Sequence, residues 1–380
     1  MPSEEKVINS LKTHLQYALS GIWLKNFGKV TVEVKKDPRL QGVTDAYLYR
    51  VFTKANFVVK HDYADVPKEK KGYEILKDAS PSLSSHLVPP LEEGKNPDGV
   101  RYLNEAVLLT PHINSLTLHE IITKKKAEKN YIYSLYSDFL NKLKNLWSDT
   151  HNSTKPNIGR IYLVERLDER LRKFKDFYDL KGNLKIILNK REIELTRKII
   201  PDLQKRLLNL KDKINYSCTI HGDEHAKNIL VRKESIGKDS EAWVLIDYTN
   251  TQEKSDWIIS IAKILHWFKV YFVIENARRK RDLHGRIEKI SSNTLKVEYT
   301  EGDFKKKIPR ICDELYSRTL NFCNEANKEI FHEPDSIWKE RLKIALFIML
   351  FGAVTRHFEP EKEFAIPFLI GESFRFLESL

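Results

Sequence analysis

The feature that most restricts how this chain can fold lies between residues 219 and 248. Two apolar runs, Ile229-Leu230-Val231 and Val244-Leu245-Ile246, are joined by a polar segment. They follow the dense polar stretch His221-Gly222-Asp223-Glu224-His225-Ala226-Lys227-Asn228. Short apolar runs bounded by polar turns read as a strand pair. The pair stands directly behind a loop and ends on Asp247. It therefore fixes three oxygen-bearing side chains relative to one another. Asp223 and Asn228 share the loop, and Asp247 closes the neighbouring strand.

The remaining pattern divides in two. Residues 4–25 carry Val7, Ile8, Leu11, Leu15, Ala18, Leu19 and Ile22 at helical spacing. Strands are expected over 30–34, 46–52, 56–60 and 106–110, with a helix from about Asp65 to Lys77 and a Ser- and Pro-containing loop over 79–101. That order describes a small α+β unit, assigned to residues 1–112. From Ser115 onward helices dominate, and residues 113–380 form a larger, mainly helical unit. Its amphipathic stretches predict a short helix over 116–122 and longer ones over 131–147, 161–178 and 191–214. Further helices are expected over 257–277 and 312–328, with two more in the C-terminal stretch 338–380. The only strands expected here are the ladder at 219–248 and an inserted hairpin near 285–303, which alternates around Ser291-Ser292-Asn293.

Composition limits the function classes. A chain of 380 residues with 41% hydrophobic content has material for a sizeable core. The net charge of +12 favours anionic partners without choosing among them. Cys218, Cys312 and Cys323 form no CxxC pair and are odd in number, which argues against a disulfide framework or structural zinc and fits a reducing cytoplasm. The stretch MPSEEKVINSLKTHL has no apolar core of signal-peptide length. The most apolar late stretch, 344–354, is too short to span a bilayer and reads as a buried helix, so no membrane partner is expected.

The residue types around 221–247 suit phosphoryl transfer. That reaction needs one carboxylate to orient or deprotonate the attacking hydroxyl, hard oxygen ligands for magnesium, and a lysine to neutralise phosphate charge. The segment His221-Gly222-Asp223-x-His225-x-x-Asn228, followed by a strand ending in Asp247, resembles the catalytic loop of the aminoglycoside phosphotransferase and choline kinase superfamily. Gly222, where protein kinases carry Arg, is similar to the small-molecule branch. The resemblance implies a protein-kinase-like, two-lobed α+β fold with ATP and magnesium between the lobes. It implies Asp223 as the catalytic base or hydroxyl-orienting group, Asn228 and Asp247 as magnesium ligands, and His221 and His225 as residues that shape the loop. The acceptor would be a small-molecule hydroxyl, as on an aminoglycoside, a sugar or choline.

The first unit offers matching candidates under the same resemblance. Lys60 ends an apolar strand and is similar to the lysine that contacts nucleotide phosphates. Glu69, or Glu74 as the alternative, would hold it from the following helix. Gly42 and Thr44 stand where a phosphate-approaching turn belongs, although Val43 and Asp45 replace the usual small residues. Leu108 to Thr110 stand where backbone would hydrogen-bond the adenine edge. After Asp247, the family's paired acids at a helix start become Asp256 and Ser260. Two other readings stay open: a nucleotide-binding pseudokinase or signalling module, and a kinase acting on protein or RNA. The basic runs at 124–129, 278–281 and 305–307 lack interleaved aromatics, so nucleic acid is not expected. Arg166 and Arg170 share a helix face and suit either a phosphate or carboxylate pocket or pairing with Glu165 and Glu169.

Overall fold

A computed structural model describes residues 33–36, 47–52, 57–61, 66–89, 92–95, 106–111, 113–156, 164–280, 285–299, 308–358 and 363–379. The helix expected over 4–25 lies outside them, as does the candidate turn with Gly42 and Thr44. The first described unit holds strands β1 (Glu33–Lys36), β2 (Tyr47–Phe52) and β3 (Phe57–His61), helix α1 (Val66–Ala79), a single helical turn α2 (Pro81–Ser84), and strands β4 (Glu92–Lys95) and β5 (Ala106–Pro111). The strands form one antiparallel sheet in the order β1-β2-β3-β5-β4. β4 falls within the stretch expected to be loop.

The chain then passes through β6 (Ser115–Thr117) into α3 (Leu118–Thr123), α4 (Lys129–Thr150) and α5 (Val164–Phe177). Thr117 caps α3 in a reciprocal capping box with Glu120. Next come β7 (Lys185–Leu188), β8 (Arg191–Glu194), α6 (Ile200–Lys211), β9 (Cys218–Ile220), β10 (Ile229–Arg232), β11 (Trp243–Leu245) and β12 (Gln252–Ser255). Helices α7 (Ile258–His266) and α8 (Phe272–Lys280) are joined through a π-helical turn, Trp267–Tyr271. The chain finishes with β13 (Gly285–Ser291), β14 (Thr294–Tyr299), α9 (Arg310–Ala326), α10 (Asp335–Ala353) and α11 (Ile366–Ser379).

One expectation fails here. Residues 191–214 are not a single helix, and the strands after 113 extend beyond the ladder and the late hairpin. Asn189 and Lys190 both adopt left-handed backbone, φ 47° and 76°, and turn the chain between β7 and β8. Two consecutive positive φ values mark a two-residue hairpin turn, which Asn favours. Ile186 and Ile193 pair across the strands and are both buried. β14 then adds parallel to β7, so the late hairpin becomes half of a four-stranded sheet, β13-β14-β7-β8. The helical periodicity of 191–214 holds only from Ile200 on, after a π-helical turn at Leu195–Ile199.

The core gathers around α7, which is buried almost throughout and packs against α10. The apolar stretch 344–354 runs through the end of α10 and is buried nearly end to end. No helix among the described residues is long and apolar enough to cross a membrane. The three cysteines are buried and unbridged. Beside α7 sits a charged group inside an aromatic shell. Arg341 on α10 and Asp256 are both fully buried, with Nε 2.9 Å from the carboxylate. The guanidinium also donates to Glu333, at 2.8 Å, and to the Tyr216 hydroxyl, at 2.7 Å. Trp257 stacks on Phe331 at 4.8 Å and donates its indole N–H to the same hydroxyl. Asp256 accepts from the Ile258 amide and so fixes the first turn of α7.

A buried ion pair is far more sensitive to losing one partner than to losing both. Arg341→Met leaves Asp256 and Glu333 facing each other without a cation. The expected cost is about 3–5 kcal/mol of stability, read as a fall in the urea unfolding midpoint. An unchanged midpoint would show that the pair does not secure the fold.

Candidate active site

The loop 221–228 is held from both ends. β9, entirely buried, pairs with β12 through Ile220 opposite Gln252 and Cys218 opposite Ser255. On the other side, β10 pairs with β11 and with β6. The Ile246 amide donates to the Asn228 carbonyl at 3.0 Å, which carries the ladder one residue past β11. Asp247 therefore lies beside Asn228, as the apolar spacing implied. Asp247 has left-handed backbone, φ 64° and ψ 74°, uncommon for a residue with a side chain. Its carboxylate accepts from the Thr249 hydroxyl at 2.5 Å.

The loop's own hydrogen bonds tie Asp223 to Asn228. The Asp223 carbonyl accepts from the His225 amide, at 2.8 Å, and from the Asn228 side-chain nitrogen, at 2.9 Å. With its nitrogen so used, Asn228 keeps its side-chain oxygen for a cation. His221 is fully buried; its Nδ1 accepts from the Asp223 amide at 3.2 Å and its Nε2 donates to the Ile246 carbonyl at 3.1 Å. His221 is thus a staple between the loop and the strand that bears Asp247. His225 stacks on Trp267 at 4.5 Å. Burial pushes its pKa down, against the pull of Asp223.

Gly222 has a positional reason as well as a pattern. Its φ is +81°, and a Cβ there would lie 2.3 Å from the Asn250 carbonyl oxygen. The loop and the 248–250 turn touch backbone to backbone at this point. A second close approach brings α1 onto the same turn: a Cβ at Gly72 would lie 2.1 Å from the Tyr248 carbonyl. Tyr73 packs on Tyr248 with ring centroids 5.7 Å apart. The Tyr248 hydroxyl donates to the Leu245 carbonyl and accepts from the Val88 amide, both at 2.6 Å. α1 is therefore seated on the strand end that carries Asp247.

Two contacts tie this loop to α7. The first concerns Ser260. Its hydroxyl donates to the buried Glu224 carboxylate, and the same oxygen accepts from the His221 amide at 3.1 Å. Glu224 thus braces the loop from within, between Ser260 and His221. The signal was an acid between Asp223 and His225 together with a Ser at 260. The second is Lys263, one helical turn beyond Ser260, whose Nζ is 2.9 Å from Asp223 Oδ1. The other oxygen, Oδ2, lies 3.7 Å from His225 Nε2. Burial works against ionisation of Asp223, but Lys263, His225 and His221 together outweigh it and hold the carboxyl far below the usual carboxylate range.

The candidates in the first unit are placed less closely. Glu69 is buried, and its charge helps, after burial itself, to raise the pKa of the Tyr248 phenol. Glu74 is exposed and paired with Lys77. The backbone of Lys60 sits in β3 opposite Leu48 and Leu108; its side chain lies outside the described residues. Leu108 is mid-strand, with Lys60 on one side and Glu93 on the other, whereas Thr110 pairs only with Val58. The sheet's exit is thus at Thr110–Pro111, beyond Leu108. Among the described residues no group of three or more His, Cys, Asp or Glu side chains is arranged to hold a metal. The Asn228 and Asp247 oxygens suit magnesium only as a partial set, completed by phosphate and water.

No family model and no curated protein matches this sequence. The solved structures to which the chain is similar include small-molecule phosphotransferases. One is spectinomycin phosphotransferase APH(9)-Ia in complex with ADP and spectinomycin, at 11% identity and TM-score 0.47 over 96% of this chain and 93% of that one. Another is an ethanolamine kinase from Plasmodium vivax, at 11% identity and TM-score 0.47 over 99% and 89%. A third is APH(2")-IIIa with GDP and kanamycin, at 11% identity and TM-score 0.40 over 96% and 97%. At these values no activity follows from the likeness.

Gly222→Ala is expected to destabilise the protein by about 1–2 kcal/mol from left-handed backbone alone. The contact with Asn250 adds to this, because neither backbone can retreat without breaking the ladder. Thermal unfolding of the two proteins measures the effect, and equal midpoints would refute the close contact.

Proposed function

We propose that this chain is an ATP-dependent phosphotransferase that moves the γ-phosphoryl group to a hydroxyl of a small molecule, on a two-lobed, protein-kinase-like fold. One observation carries the reading. Asp223, Asn228 and Asp247 meet on one loop and strand end, joined through the Asn228 amide on the Asp223 carbonyl and the Ile246 amide on the Asn228 carbonyl.

Each residue then has a task. Asn228 and Asp247 would hold magnesium, which supplies charge neutralisation for the nucleotide phosphates. Asp223 is kept ionised, as a group that orients a hydroxyl and takes its proton must be. His221, Glu224 and Ser260 keep the loop in register with Asp247. Glu69, buried on α1, would receive Lys60. Leu108 and Thr110, on β5, would lead to the nucleotide's adenine edge, and Gly42 and Thr44, outside the described residues, would bind its phosphates. The ionised state of Asp223 and the completeness of the triad favour an active enzyme over a pseudokinase.

Asp223→Asn tests the assignment. The side chain keeps its shape and the metal ligands remain, so Mg-ATP affinity should hold within a few-fold. Turnover of an acceptor found by an ADP-release screen should fall by roughly 10²–10⁴-fold, mainly in kcat. Unimpaired turnover would make Asp223 a structural residue and remove the mechanism.

A further inference from the structure

We propose that the acceptor is an alcohol bearing a carboxylate or phosphate close to the reacting hydroxyl, and that Lys263 is the residue that binds this anion. The inference rests on the phosphotransferase reading and deepens it.

The Asp247 side of the loop is covered by α1 through Gly72 and Tyr73. The Asp223 side is faced instead by α7, the π-helical turn and α8. One stripe of that continuous helix lies along the loop, at every fourth residue. Lys263 meets Asp223, and Trp267 stacks on His225. Tyr271 lies flat against Trp267 with centroids 5.5 Å apart, and Glu275 meets Lys227 at 2.8 Å. An acceptor that reaches Asp223 must approach this stripe.

The charges along the stripe sort themselves. Glu275 is neutralised by Lys227; one oxygen of the Glu224 carboxylate is engaged inside the loop by Ser260 and His221, and the other is buried. Asp223 and Asp247 are taken up by the reaction and the metal. Among the described residues of the stripe, Glu275 is the one carboxylate, and it is already paired. Cations, by contrast, accumulate. Arg356, in the turn after α10, and Arg170 of α5 both act on the Tyr271 phenol. The Arg170 guanidinium lies against Gly352, one helical turn before Arg356.

Lys263 is the decisive group because of where its ammonium rests. It occupies the very carboxylate oxygen that an acceptor hydroxyl needs, and its side chain is only 21% exposed. A hydroxyl arriving at Asp223 displaces the ammonium from Oδ1 or shares that oxygen with it. A carboxylate or phosphate one or two bonds from the hydroxyl carbon gives the displaced ammonium a new partner at once. A cationic acceptor would instead place like charge beside it, with little solvent to screen the two.

Calorimetry on the full chain saturated with Mg-ADP tests this without knowledge of the true acceptor. D-glycerate and glycerol 3-phosphate represent the two anionic sources, glycerol the neutral control, and ethanolamine and kanamycin the cationic classes. At least one of the anions should bind ten times or more tighter than glycerol. Lys263→Met should weaken that binding at least tenfold, and Lys263→Arg, which keeps a cation, should retain most of it. Anions that bind no better than glycerol, a preference for ethanolamine or kanamycin, or a Met variant that binds anions as the parent does would each overturn the inference. A chain that binds no Mg-ADP at all would instead contradict the phosphotransferase reading itself, and this inference would fall with it.

Discussion

The Arg341–Asp256 pair is the fixed point from which the site is built. Two fully buried charges hold the residue just before α7 against α10. Such a pair stabilises a fold little beyond its own desolvation cost, but it makes any other placement of those two elements expensive. The helix that starts there then sends Ser260 to Glu224 and Lys263 to Asp223. Each successive contact reaches further along the loop, from the amide of His221 to the carboxylate of Asp223. The geometry of the loop is therefore set by the direction of one helix. That direction is set by a charge pair that an aromatic shell keeps dry.

The opposite wall works differently. There α1 reaches the Asp247 turn by close backbone approach at Gly72, and the contact is filled by Tyr73 and Tyr248 rather than by charge. The loop thus sits between a polar wall and an apolar one. His221 joins the two, because its ring bonds the loop on one edge and the Asp247 strand on the other.

How much of this was legible depended on range. The strand pair behind the loop was readable because apolar triplets beside polar turns leave few alternatives, and the spacing from Asp223 to Asn228 fits one turn of loop. Helices α4, α7 and α10 were readable for a similar reason: long apolar patterns outvote local detail. The β7–β8 hairpin was missed because Ile193 and Leu195 serve a helix pattern as well as a strand pattern. Only the tolerance of Asn189 for left-handed backbone, visible as a turn signal, separates the two. The partners of Asp223 and Glu224 were illegible for another reason. Lys263 and Ser260 lie some forty residues away, and nothing local marks a lysine as facing inward. Ser260 acts through the Glu224 carboxylate, a contact visible only when both its ends are seen together.

The central claim is that Asp223, Asn228 and Asp247 form one phosphoryl-transfer centre. A crystal structure of the full chain with magnesium and a non-hydrolysable ATP analogue tests it most directly. The account predicts a metal at about 2.0–2.1 Å from the Asn228 side-chain oxygen and from the Asp247 carboxylate, with Asp223 facing the γ-phosphoryl group. A nucleotide bound elsewhere, or a metal that touches neither Asn228 nor Asp247, would contradict it.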